Sequence, residues 1–253
     1  MSELKAFDLG RLAGFLKLQL FKFRKGIVLT LAVTFGMLFF VGLLLDIYVD
    51  PTKVTFEHME NFTGSILLGG FVLSSMAFNE LGNKLKAQHY LMVPVSALEK
   101  FIAMWLLTGL GWAVGYTLVF TLYTWVANVV GPVLFSYVSF RAFDPLGAET
   151  LLRIVVYLVL QGVFLIGSVR FKSYALPKTL LAILLVALVC GSCAFMIMKE
   201  TFLTEHRCGN GECEYITEMG KHPIWSVVKW MFWSVLGPVT WLVTYLGLKE
   251  QEV

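Results

Sequence analysis

Charge is scarce in these 253 residues: Asp, Glu, Lys and Arg together make up 15%, against 58% hydrophobic residues and a mean hydropathy of +0.76. Polar stretches long enough to build a soluble domain are missing, as are internal repeats and low-complexity linkers. The chain therefore reads as one integral-membrane unit over 1–253, and large soluble parts are expected from partners. A phosphate-cradling G-x-x-x-x-G-K-[ST] loop is absent, because the one Gly-Lys pair, Gly220-Lys221, is followed by His222. Histidine is rare, and His58, His89, His206 and His222 all fall outside the apolar runs. Without H-E-x-x-H, paired glutamates or G-x-S-x-G, the usual means of a membrane-embedded enzyme are lacking. What is left for that class is thin: Asp46 and Glu80 near span ends, Arg153 near an interface, and Gln161 as the clearest polar residue in mid-membrane. No cofactor and no metal is expected.

What the sequence does have is apolar runs, at 27–49, 62–78, 101–130, 151–169, 180–198 and 225–248. Each lies near the roughly 20 residues that carry a helix across a hydrocarbon core of about 30 Å. None shows the polar stripe, every third or fourth residue, of a water-facing helix. The first run follows a long basic segment, exceeds the length of an h-region and lacks a small-residue cleavage pattern, so it reads as a permanent span and not a signal peptide. An all-α, six-span polytopic fold is predicted.

Cations set the orientation, because Lys and Arg are retained on the cytoplasmic side during insertion. Segment 1–26 carries Lys5, Arg11, Lys17, Lys22, Arg24 and Lys25; the link 79–100 carries Lys84, Lys86 and Lys100; the next alternate link carries Arg170, Lys172 and Lys178; and the tail has Lys249. The opposite links are poorer, with Lys53, Arg141 and a mixed extracytoplasmic loop at 199–224. Both termini are thus expected in the cytoplasm. The net charge of +3 follows from this topology and gives no reason to invoke nucleic acid.

Two cytoplasmic pieces carry most of the information. In 1–26, Leu9, Leu12, Ala13, Leu16, Leu20 and Phe23 recur at helical spacing opposite Arg11, Lys22 and Lys25, which predicts an amphipathic helix lying in the interface as an elbow ahead of the first span. In 79–100, Leu81, Leu85, Gln88 and Met92 recur beside Lys84 and Lys86, which predicts a short surface helix. Pro94 stops it, and Ser96 with Glu99 forms an S-x-x-E capping box that satisfies the first free amides of the third span.

At this point the chain resembles the membrane subunit of ABC-2 type ABC transporters. Those permeases are similar in their N-terminal interfacial helix, six spans, cytoplasmic termini, and a coupling helix between the second and third spans. Their motif there, a Gly followed by Leu-rich residues and then Pro-Val-Ser, is similar to Gly82, Leu85, Leu91, Pro94, Val95 and Ser96. The family's helical hairpin between spans five and six has a mostly polar counterpart here. The resemblance implies two permease copies, or this chain with a similar one, on two cytoplasmic ABC ATPases in a bacterial inner membrane. ATP-driven closure of those ATPases would push on the coupling helices and drive export. Lys84, Leu85, Lys86, Leu91, Pro94, Ser96 and Glu99 are the residues expected to dock the ATPase and transmit its motion. The alternative is a non-transporting membrane scaffold or accessory subunit, which shares this topology; a membrane-embedded enzyme is the weakest class.

Gln161 has two readings, an interhelical hydrogen-bonding residue or part of a transport path. Gly109, Gly111 and Gly115 read as close helix packing ahead of a substrate groove. Cys208 and Cys213 flank Gly209-Asn210-Gly211-Glu212 in the outer loop, where oxidation is permitted and the glycines allow a tight turn, so a disulfide is expected. A zinc site built from them with His206 and His222 fits no standard spacing. Cys190 and Cys193 read as small packing residues of the fifth span. The Asn61-Phe62-Thr63 sequon abuts the membrane, where glycosylation is hindered.

Overall fold

The computed structural model describes residues 7–38, 55–134, 139–171, 173–204 and 223–251. The first helix, α1 (Leu9–Met37), opens on Asp8, whose carboxylate accepts from the amides of Gly10 at 2.7 Å and Arg11 at 3.4 Å. It runs through Lys25 and Gly26 without interruption, so the amphipathic segment and the start of the first span are one helix and not two pieces meeting at an elbow. A lone glycine costs about 1 kcal/mol in a helix, and with no proline after it the helix has no stop. Residues 39–49 of that span lie outside the described residues.

After a two-residue strand β1 (Thr55–Phe56), α2 (His58–Met76) returns to a 3-10 turn at Asn79–Gly82. The surface helix is present as α3 (Lys84–Met92), capped by Asn83, whose side chain accepts from the Leu85 amide at 3.1 Å. Ser96 and Glu99 form the expected box at the head of α4 (Ala97–Trp105). The predicted third span starts earlier than 101 and is not uniform: α4 widens into a π-helical segment at Leu106–Gly111 before continuing as α5 (Trp112–Leu134). The second strand, β2 (Ser139–Phe140), pairs in parallel with β1, Thr55 beside Ser139 and Phe56 beside Phe140. Then come α6 (Ala148–Arg170), α7 (Ala175–Thr204) and α8 (Pro223–Glu250). Helix α7 extends six residues past the predicted span end at 198, and residues 205–222, with the predicted Cys208–Cys213 bridge and both histidines beside it, lie outside the described residues.

Among the described residues, four helices are long and apolar enough to cross a membrane: Ala97–Val133, Ala148–Arg170, Ala175–Cys193 and Trp230–Glu250. On their described residues α1 and α2 do not reach that standard. Lys17, Lys22, Arg24 and Lys25 lower the apolarity of α1, and Glu60, Asn61 and a series of glycines and serines lower that of α2.

Helix α6 is the centre of the bundle, packed against α2, α7 and α8. Small residues permit the approach. A methyl group on Gly70 of α2 would overlap the Tyr157 ring of α6, and one on Gly167 of α6 would overlap Thr179 of α7. Several threonine hydroxyls are satisfied within their own helices, as hydrocarbon surroundings favour: Thr108 donates to the Met104 carbonyl, Thr117 to Ala113, Thr179 to Ala175 and Thr244 to Thr240, all at 2.7–2.8 Å.

Two apolar clusters mark the ends. One joins Leu12 and Phe15 of α1 to Phe78, Tyr90, Val95 and Leu248, so the start of α1, the link 79–96 and the end of α8 share one end of the bundle. The other gathers Phe62, Ile66, Trp112, Tyr116, Phe120 and Tyr157 toward the β1–β2 end. Helix α7 belongs to neither: of its described side chains through Cys193 only Thr179 is buried. Cys190 and Cys193 therefore stand exposed on its surface and do not pack inside this chain.

Candidate functional site

The residues expected to act together do meet, at the end of the bundle that holds the first cluster. Glu99 is fully buried, 0% exposed, and every part of its carboxylate is used. Oε2 accepts from the Ser96 amide at 2.8 Å, which closes the capping box. Oε1 accepts from the Asp8 amide at 2.6 Å and from Arg11 Nη2 at 3.0 Å, which ties the head of α1 to the head of α4. Glu99 stands in the first turn of α4, at the head of the apolar helix that runs on to Val133.

Beside this junction Tyr90 plugs the gap between α1 and α4. Its ring meets Phe15 edge-on at 6.0 Å between centroids, and the Lys100 ammonium lies 5.6 Å from the ring centre. Lys100 is 1% exposed and donates to the Leu91 carbonyl at 3.4 Å, so a cation counted in the sequence as a topology marker is a structural part of the link. Further along, Lys22 of α1 pairs with Glu80 of the 3-10 turn at 3.1 Å.

On this base α3 turns a distinct face outward. Lys84, Leu85, Lys86, Gln88, His89 and Met92 are exposed, Leu85 by 70% and Met92 by 77%, and Pro94 is exposed beyond them. Leu91 turns inward onto the first cluster. The predicted set therefore divides in two: Lys84, Leu85, Lys86 and Pro94 form an outer surface, and Leu91, Ser96 and Glu99 form its mounting. Sequence reasoning missed Asp8, Arg11, Tyr90 and Lys100 as members. Arg11 lies 88 positions from Glu99, and no local pattern signals that pair.

Gln161 is in a second place altogether. It is 0% exposed on α6, and neither its Nε2 nor its Oε1 has a hydrogen-bond partner among the described residues. The amide lies against the π segment, where a methyl on Gly109 would come within 2.8 Å of Nε2 and 2.9 Å of Oε1. Tyr157, one turn away, donates to the Thr108 carbonyl inside the same segment. Of the three glycines read as packing sites, Gly109 fits that description, whereas a methyl on Gly115 meets nothing within 4 Å and one on Gly111 meets only its own helix, at the Leu106 carbonyl.

The remaining polar candidates are dispersed. Glu80 is paired with Lys22 at one end of the bundle, and Arg153 with Glu149 at 3.4 Å on α6. His58 contacts Asn128 at 3.0 Å at the β1–β2 end, and Asp46 lies outside the described residues. No acid, base and nucleophile converge among the described residues. Comparisons with protein-family models, with curated proteins and with solved structures return no match.

Proposed function

We propose that this chain is the membrane subunit of an ATP-driven exporter of the ABC-2 type, with ATP hydrolysis carried by separate cytoplasmic ATPase subunits. In this reading it crosses a bacterial inner membrane six times, through α1 with the residues after it, α2, α4–α5, α6, α7 and α8. The distribution of Lys and Arg supports a cytoplasmic placement for α3 and both termini. The gathering of the α1 head, the 79–96 link and the α8 end at one end of the bundle is what an even number of crossings requires. Two copies, or this chain with a similar one, form the transport unit, and the apolar outer surface of α7 is available to a second copy or to lipid.

The observation that carries the proposal is the exposed face of α3 on a rigid mounting. A docking helix must present side chains outward and pass a push inward without yielding. Leu85 and Met92 supply apolar contacts and Lys84 and Lys86 supply charge for acidic groups on an ATPase. Leu91, Tyr90, Lys100 and the Ser96–Glu99–Arg11 linkage connect that face to α4 and α1. Gln161 beside the π segment is then the polar point of the transport path, since π segments interrupt helices most often where function needs it.

The test is co-purification in mild detergent. A P-loop ATPase is expected at about one per chain, lost on Leu85→Asp with Met92→Asp. Lys84→Glu with Lys86→Glu is expected to separate ATP hydrolysis from transport while insertion stays intact. Absence of any ATPase across several detergents overturns the proposal in favour of a scaffold subunit.

A further inference from the structure

Helices α1 and α2 run antiparallel, with Gly26 near Met76 at the α3 end and Leu38 near Glu60 and Asn61 at the other. Between them lies an open apolar groove of ≈ 440 Å³, walled by Leu29, Val33, Met37, Leu68 and Val72. Gly64 at its exposed rim leaves space open, since a methyl there would meet nothing within 4 Å. From Gly26 to Leu38 the groove extends about 18 Å at 1.5 Å per residue, close to the depth of one leaflet, about half of a 30 Å hydrocarbon core.

At Gly26 and Met76 the groove passes into a second, polar pocket of ≈ 200 Å³ whose other walls include Lys22, Lys86, Asn79 and Glu80. Both carboxylate oxygens of Glu80 are engaged by Lys22, at 3.1 and 3.3 Å. Two lysines and one carboxylate thus line this pocket, and a positive charge is left over at the mouth of an apolar slot. An acyl chain fits the slot, a phosphate fits the mouth, and a net negative headgroup balances the surplus. Basic pockets between spans on the cytoplasmic side recognise anionic lipids by this chemistry.

We propose that the α1–α2 cleft is a binding site for one anionic phospholipid of the leaflet nearest α3, with an acyl chain along the groove and the phosphate at Lys22, Lys86 and the Asn79 amide. The site depends on the chain lying in a bilayer and not on the transport reading. It gives Lys86 a ligand within its own chain, beside any contact it makes with an ATPase.

The experiment uses the purified full chain without any ATPase, in nanodiscs of phosphatidylcholine with and without phosphatidylglycerol. It reads lipid retained after detergent transfer, by mass spectrometry, together with the thermal midpoint. Retention of about one phosphatidylglycerol per chain and a higher midpoint in its presence are expected. Lys86→Gln, which leaves the Lys22–Glu80 pair intact, should weaken retention about tenfold. Gly64→Leu, which fills the groove where space is open, should abolish retention with the charges in place. Equal retention of phosphatidylcholine, or unchanged retention in either variant, overturns the assignment. Since no ATPase is present, either result leaves the docking proposal to its own test.

Discussion

The guanidinium of Arg11 and the carboxylate of Glu99 meet at 3.0 Å although 88 residues separate them, and this contact joins the first helix of the chain to the helix that follows the surface link. Glu99 has no exposed surface, so losing the cation leaves a buried carboxylate held by amides alone.

Arg11→Met should lower the stability of the solubilised protein by about 1–3 kcal/mol, the usual cost of stripping a partner from a buried polar group. Thermal midpoints of the variant and the parent chain in one detergent measure the difference, and an unchanged midpoint would remove the Arg11–Glu99 contact from the account.

Gly70 and Gly115 make a matched pair for helix packing. A methyl on Gly70 overlaps the Tyr157 ring, so Gly70→Ala should cost about 1–3 kcal/mol by overpacking. A methyl on Gly115 meets no atom, so Gly115→Ala should gain about 0.5–1 kcal/mol from reduced backbone freedom. Unfolding of the two variants in one detergent decides the matter, and the opposite order would refute the α2–α6 contact.

Gln161 keeps both amide atoms buried without partners among the described residues, a state that costs about 1–3 kcal/mol to maintain. Gln161→Leu should then be at least as stable as the parent in thermal unfolding, and under the proposed function it should lower transport. A marked loss of stability would mean that the amide is structurally bonded.

Cys190 and Cys193 lie on the exposed side of α7, among apolar residues. In membranes of a Cys208→Ser, Cys213→Ser background, a water-soluble maleimide should leave both unmodified, because a polar reagent does not enter the water-free hydrocarbon core. Detergent solubilisation followed by denaturation should expose them to reaction. Rapid labelling in intact membranes would place that face of α7 against water.

Local patterns made part of this architecture legible. The Ser96–Glu99 box and the stop at Pro94 depend on residues within one turn of each other, and α3 ends and α4 begins accordingly. The helices at 148–170 and 223–250 follow from long apolar runs with few polar residues. The join at residue 26 was misleading because composition changes there, from amphipathic to apolar, whereas backbone hydrogen bonding does not. The π segment at 106–111 carries no proline to announce it. Its neighbour Gln161 was visible as a polar residue in an apolar run, but its lack of partners depends on how α6 meets that segment. The Arg11–Glu99 contact depends on which helices pack, and a single sequence offers no signal at that separation.

Helix α1, at 29 residues, is about 43 Å long, and no break divides it. Under the docking proposal, a rod of that length pinned at its head to Glu99 would work as a lever. A small rocking of the surface helix would swing the far tip sideways by a larger amount, with no hinge needed between the face that receives the push and the opposite rim.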